Sequence, residues 1–377
     1  MNLDPHIPPA CRHLTAALRA AVNGDPAPPD LADAADWPAL FRQACEQGLA
    51  TFIFPWLTVR LNDRFSLVPR PGEPPNAADW RARFFAALPD TRRRQNQLED
   101  LLADLAAAHI GIVVLKGAWL SETVYASPEQ RTMSDLDLLV READRDACHA
   151  RLLSLGYVPS TLTFGNPFAY DQRYRHPRHP LPVELHWHFA SAQDTVTPPP
   201  DIAAIWSAAL PARWKGHPLR ALSPADQLAH AAQHILHHLF AMPLRGYLDI
   251  ALLLTAHADA LTPADLENAS ARWRTGPALA FILHLACGLT ATPLPPALRD
   301  ALPAPDPELL ARALPLTVDP PAAPARESAT HHPALPAAPP PARPRPAAPR
   351  RCLRSERPTP EIPAQESNLY SGFCFKN

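Results

Sequence analysis

Leu115-Lys116-Gly117, followed by Arg131-Thr132-Met133-Ser134-Asp135-Leu136-Asp137-Leu138-Leu139-Val140, is the stretch whose reading decides the fold. Two aspartates alternate with leucines at the head of an apolar segment. That alternation predicts a strand, in which residues i and i+2 point to the same side. Asp135 and Asp137 are therefore expected side by side, with Leu136, Leu138 and Val140 on the opposite face. Two carboxylates that close repel each other unless a cation lies between them. A hard divalent ion such as Mg²⁺ takes oxygen ligands and usually brings phosphate with it. The pattern predicts a metal–phosphate site.

Working outward, Ile112-Val113-Val114-Leu115 is a short β-branched run between Gly111 and Gly117, which predicts a buried strand. Gly117 lets the backbone approach a ligand, and the helix expected after it offers free N–H groups to phosphate. Lys116 is placed to neutralise a triphosphate. Downstream, residues 143–155 have helical spacing and Gly156 closes that helix as its C-cap. Val183-Glu184-Leu185-His186-Trp187-His188-Phe189 then alternates, with Val183, Leu185, Trp187 and Phe189 on one face and Glu184, His186 and His188 on the other. Glu184 supplies a third carboxylate, enough for two Mg²⁺ ions roughly 3.5–4 Å apart. Strand–helix–strand–helix followed by further strands indicates an α/β or α+β catalytic core.

The flanks read as helical. Residues 1–95 form an N-terminal helical region in which Trp37, Leu40, Phe41 and Cys45 recur at core spacing. Residues 96–195 are the catalytic core and 196–292 a helical domain. In the latter, Ser223 is an N-cap with Pro224 at the first helical position. His230, His234 and His237 share a face with Asp226 one turn earlier, and a polar face lining a cleft is favoured over a metal site. Asp249 lies in an apolar helix, where an unpaired charge is costly. It is expected to pair with Arg245 or to face the cleft.

Whole-chain properties narrow the class. The 377 residues carry a net charge of -2, which makes no case for a nucleic-acid or membrane partner. The six cysteines are scattered without CxxC spacing, so neither a zinc site nor a disulfide framework is indicated, as in a reducing cytoplasm. The first residues lack a signal-peptide pattern, and no stretch approaches the roughly 20 apolar residues of a membrane span. A cytoplasmic protein is expected. Glycine (12) is scarce and proline (49) abundant, the proline crowding toward the ends. Residues 293–377 read as a Pro/Ala/Arg-rich tail, with too little apolar periodicity to offset the entropy of ordering. The tail's abrupt onset resembles out-of-frame translation of a GC-rich gene.

The ordered set Leu115-Lys116-Gly117, Arg131, Asp135-Leu136-Asp137-Leu138-Leu139-Val140 and Val183-Glu184-Leu185-His186-Trp187, with His230, His234 and Tyr247-Leu248-Asp249-Ile250 after it, resembles the uncharacterised nucleotidyltransferase family of the polymerase-β-like superfamily. The likeness runs over roughly residues 95 to 260. It implies an α+β fold with a polymerase-β-like core, a mixed sheet flanked by helices. It also implies Asp135, Asp137 and Glu184 as catalytic, metal-binding carboxylates, and Lys116, Gly117, Arg131 and His186 as nucleotide-binding residues. The implied cofactor is Mg²⁺, with Mn²⁺ as the alternative, and the implied substrate an NTP. The implied reaction moves NMP to a hydroxyl on a small molecule, peptide or protein and releases pyrophosphate. Gly117-Ala118 stands where the superfamily usually has Gly-Ser or Gly-Gly, and the gap from Gly117 to Asp135 is longer than in small antibiotic-modifying members. Two rival readings are an inactive regulatory or antitoxin-like module of the same fold and a metal-dependent phosphotransferase.

Overall fold

Seven strands make one mixed sheet in the order β3-β4-β5-β2-β1-β7-β6. They are β1 (Ile112–Val114), β2 (Leu136–Val140), β3 (Val158–Pro159), β4 (Asp171–Arg175), β5 (Val183–His186), β6 (Leu210–Trp214) and β7 (His217–Ala221). The computed structural model describes residues 3–28, 31, 36–62, 64–74, 76–160, 169–191, 194 and 197–318. β2 sits at the centre, antiparallel to β1 and parallel to β5. The alternation in β2 separates two cores. Leu136, Leu138 and Val140 pack with Ile112, Val114, Val183 and Leu185 on one face. Leu139, Val113 and Leu115 belong to the core on the other face.

Helices clad both sides. Among the described residues, the N-terminal α-helices are α1 (Arg12–Asn23), α2 (Trp37–Glu46), α3 (Ala50–Arg60) and α4 (Ala77–Ala107). Leu98, Leu101, Leu102 and Leu105 of α4 cover the Leu138 face together with Cys148 and Leu152 of α6 (Arg145–Ser154). Between β1 and β2 lies the short α5 (Lys116–Thr123). The opposite core joins α1 to α3 with α8 (Pro224–His237), α9 (Leu244–Ala256) and α11 (Pro277–Thr290), through residues such as Leu18, Phe54, Leu228, Leu253 and Leu283. α7 (Ile202–Ala208) and α10 (Pro263–Trp273) complete this layer. Ser223 caps α8 as expected, its side chain accepting from the Asp226 N–H. Gly156 follows α6 with φ 91°, the left-handed turn that glycine adopts at little cost.

Three expectations need correction. The region beginning at 196 is not wholly helical, because β6 and β7 form a hairpin that extends the sheet beside β1. Pro211 and Pro218 hid it, yet proline is tolerated at sheet edges and strand starts. Lys215 and Gly216 both have positive φ, the requirement of a tight two-residue hairpin turn. Second, the start of the tail moves from 293 to beyond Val318. α12 (Pro296–Ala301) and α13 (Pro307–Val318) bury Leu298, Leu310, Leu314 and Val318. Each begins on a proline, where the missing N–H costs nothing. The remaining tail, residues 319–377, lies outside the described residues, as do Cys352 and Cys374. Third, the strand carrying Glu184 ends at His186. The N–H groups of Trp187 and His188 both donate to the Tyr170 carbonyl, and this bend turns Phe189 against His186 and His230. Among the described residues, no helix is long and apolar enough to cross a membrane.

Candidate active site

Register sets the site. Asp137 of β2 pairs across the parallel ladder with Glu184 of β5, and Glu184 pairs across the antiparallel ladder with Arg173 of β4. His186 shares the face of Glu184, two residues on. Asp135 lies one residue before β2 and opens onto the same cleft as Asp137. That cleft, about 500 Å³ in volume, lies between this face of the sheet and helices α8 and α9.

Asp137 is the most enclosed of the acids, at 3% exposure. Lys116 Nζ donates to its Oδ1 at 2.9 Å, and His186 Nε2 meets the same oxygen at 3.0 Å. Burial alone would raise the Asp137 pKa. The Lys116 ammonium and the His186 contact reverse that and hold it well below the usual carboxylate range. Burial would likewise depress Lys116, but Asp137 outweighs it and the amine stays charged. Lys116 has φ 47°, a left-handed conformation that costs a residue with a side chain about 1–2 kcal/mol.

Glu184 forms an ion pair with Arg173, Oε1 to Nη1 at 3.1 Å, and its Oε2 lies 3.9 Å from His186 Nε2. Burial, then Asp137, then Asp135 push the Glu184 carboxyl upward. Asp135 is raised in the same way, first by burial and next by Asp137. Ligand atoms of Asp137, Glu184 and His186 all lie within 4.8 Å of one another. The donor chemistry fits a hard divalent cation. Burial first, and the ionised Asp137 next, raise the pKa values of the other two acids, and a cation among their oxygens would relieve the repulsion between them. Among the described residues, His186 Nδ1 is buried without a hydrogen-bond partner.

The other expected nucleotide contacts are placed differently. Arg131 Nε and Nη2 form a two-point ion pair with Asp249, both at 2.7 Å, and Nη1 donates to the Thr132 carbonyl at 2.6 Å. Tyr125 Oη donates to Asp249 Oδ1 at 2.6 Å. Burial and the Asp249 charge raise the phenol well above its ordinary pKa, so it stays protonated. Arg131 lines the cleft, but its donors are engaged within the fold, and it takes the Asp249 partnership expected of Arg245. Gly117 is buried where a Cβ would lie 3.3 Å from Arg131 Nη1 and 3.4 Å from Met133 Cβ. Its missing side chain thus makes room for the Arg131 guanidinium.

The histidines of α8 line the cleft as a polar face. His230 packs against Phe189 and Trp273, with ring centroids at 4.8 and 5.0 Å. Burial pushes its pKa down to about 3. His234 is likewise held well below its usual value by burial. His237 contacts Asp194 at 3.2 Å and is more exposed than its neighbour His238. Asp226 serves structure instead of a histidine metal site. It accepts from Arg272 Nε, Arg272 Nη2 and Trp273 Nε1 at 3.1, 3.0 and 2.9 Å.

Arg173 and Arg245 were not marked as site residues by the sequence. Arg173 sits in Asp171-Gln172-Arg173-Tyr174-Arg175, which has almost no apolar alternation to reveal a strand. Arg245 was visible only as a neighbour of Asp249 along a helix.

The mixed sheet and the start of α5 thus bring carboxylates, a histidine and a lysine into one helix-roofed cleft of an α+β fold. Residues 33–290 match the family model described as uncharacterised nucleotidyltransferase, and the chain belongs to that family. It is therefore a nucleotidyltransferase, a class that moves a nucleoside monophosphate. The match takes in α2 to α4 and α7 to α11, beyond the span of residues 95 to 260 read from motifs. Among solved structures, the solution structure of the antibiotic-resistance factor ANT(2'')-Ia is similar at 14% identity, over 48% of this chain and 91% of that chain, with a TM-score of 0.35. No curated protein matches the chain.

Proposed function

We propose that this protein transfers NMP from an NTP to a hydroxyl on a small molecule, peptide or protein, releasing pyrophosphate, with Asp135, Asp137 and Glu184 holding Mg²⁺ or Mn²⁺. The observation that carries the reading is the pairing of Asp137 with Glu184 in adjacent strands, beside Asp135 in one cleft. When bound there, a divalent cation supplies Lewis-acid polarisation of the phosphoryl group and neutralises developing charge.

The chain's own residues divide the remaining tasks. Lys116 and His186 keep Asp137 ionised and fix its carboxylate in place. Glu184, whose carboxyl burial and the neighbouring aspartates make more basic, is suited to accept the proton of the acceptor hydroxyl. As that proton leaves, the acceptor oxygen bonds to the α-phosphorus and the bond to the pyrophosphate oxygen breaks. The neutral imidazoles of His230 and His234 line the cleft without adding charge.

The test is NTP consumption by the full chain with Mg²⁺, with pyrophosphate and NDP both quantified. Pyrophosphate release that disappears in Asp137→Asn supports the reading. NDP in its place identifies a phosphotransferase. No thermal shift with any NTP and Mg²⁺ identifies a regulatory module.

A further inference from the structure

Four cationic side chains line the cleft: Lys116, Arg131, Arg173 and Arg245. Three are committed to carboxylates. Lys116 is bound to Asp137, Arg131 to Asp249 and Arg173 to Glu184. Arg245 is different. Among the described residues it forms no ion pair, and of its guanidinium nitrogens only Nη1 is bonded, donating to the Thr132 carbonyl at 2.9 Å and to Thr132 Oγ1 at 3.3 Å.

Its position is fixed from outside the sheet. The Arg245 backbone N–H donates to the Gln47 carbonyl at 3.2 Å, and the Leu244 N–H donates to Gln47 Oε1 at 2.7 Å. The guanidinium rests on Gly48, where a Cβ would come within 3.0 Å of Nη1. Gly48 has φ 67°, so glycine serves there both for backbone and for space. The turn after α2 thus presents a guanidinium to the cleft. Burial, then the nearby Arg131, lowers its pKa to about 10, so it remains charged at neutral pH.

A half-buried guanidinium with donors to spare lacks a counter-charge, and its planar fork matches two oxygens of a phosphate. We propose that Arg245 binds the phosphates of the incoming nucleotide, the place expected for Arg131 from the sequence. This rests on the NTP reading above.

The experiment is calorimetric titration of the full chain with inorganic tripolyphosphate and with each NTP in the presence of Mg²⁺. Arg245→Ala is expected to weaken tripolyphosphate and NTP binding about tenfold, the size of one lost charge-assisted contact. Arg245→Lys keeps the charge and loses the fork, so it should weaken binding by a smaller factor, about threefold. Circular dichroism checks that each variant is folded, and the lysine variant carries the test if the alanine variant is not. Wild-type binding of NTP with unchanged affinity in the folded variant overturns the Arg245 assignment alone. Wild-type protein that binds neither tripolyphosphate nor any NTP overturns the NTP reading, and this assignment with it.

Discussion

Lys116 Nζ lies 2.9 Å from Asp137 Oδ1, an ion pair between the first residue of α5 and the second of β2. The ammonium occupies an oxygen that the proposed cation would also use. The two therefore compete for, or must share, one carboxylate.

Lys116→Met removes the competitor and leaves Asp137 without its strongest compensating charge. The metal-free variant is expected to melt below wild type, and Mg²⁺ should raise its Tm by more than it raises that of wild type. Thermal-shift titration with Mg²⁺ measures both, and equal Mg²⁺-induced shifts would refute the competition.

Asp135→Asn should stabilise the metal-free protein at neutral pH while abolishing NTP turnover. The Asp135 carboxyl is raised by burial and by Asp137, so its ionised form costs the folded chain stability. That cost is full above the raised folded pKa and vanishes as pH falls to the unfolded value of about 4. The advantage of the variant should shrink over the same window. Urea midpoints across pH check it, and a variant no more stable than wild type at pH ~7 contradicts the argument.

Arg131→Ala strands the Asp249 charge, whose side chain is only 7% exposed. Removing one partner of a buried ion pair costs about 3–5 kcal/mol. Replacing both, as in Arg131→Met with Asp249→Leu, should recover much of that. Denaturant unfolding of the single and double variants decides the matter. A single variant as stable as wild type would show that the pair does not support the fold.

His230 and His234 should make the protein acid-sensitive. Their folded pKa values lie below the unfolded value of about 6.5, that of His230 at about 3. Above the unfolded value neither state is protonated, and no stability is lost. As pH falls below it, the unfolded chain takes up protons first and stability declines toward the folded value. The double variant His230→Phe, His234→Leu should lose less stability than wild type between about pH 7.5 and about pH 5. Parallel declines would assign the acid sensitivity elsewhere.

The sequence revealed the fold where alternation and composition agree. Ile112–Val114, Leu136–Val140 and Val183–His186 are strands, and the period-two pattern put Asp137 and Glu184 on one face. The hairpin of β6 and β7 escaped because its residues are neither β-branched nor alternating, although Lys215-Gly216 carried the turn signal. Among the site residues, what remained hidden was pairing over distance. Arg131 and Asp249 are separated by 118 positions, and Gln47 and Leu244 by 197. No local periodicity encodes which arginine an aspartate will choose. The choice follows from Gly117, whose missing side chain admits Arg131, while the Arg245 guanidinium lies against Gly48 and donates to Thr132.

Because leucines and aspartates alternate along β2, its pairing with β5 fixes chemistry and packing together. A slip of one residue would exchange the two faces of the strand. Leu138 would enter the cleft and Asp137 would enter the leucine layer. A mispaired chain would therefore lose its carboxylates and bury an unmatched charge in the same event. Errors of this kind are self-penalising, since the residues that make the site reactive also make a one-residue misalignment of the central strand unstable.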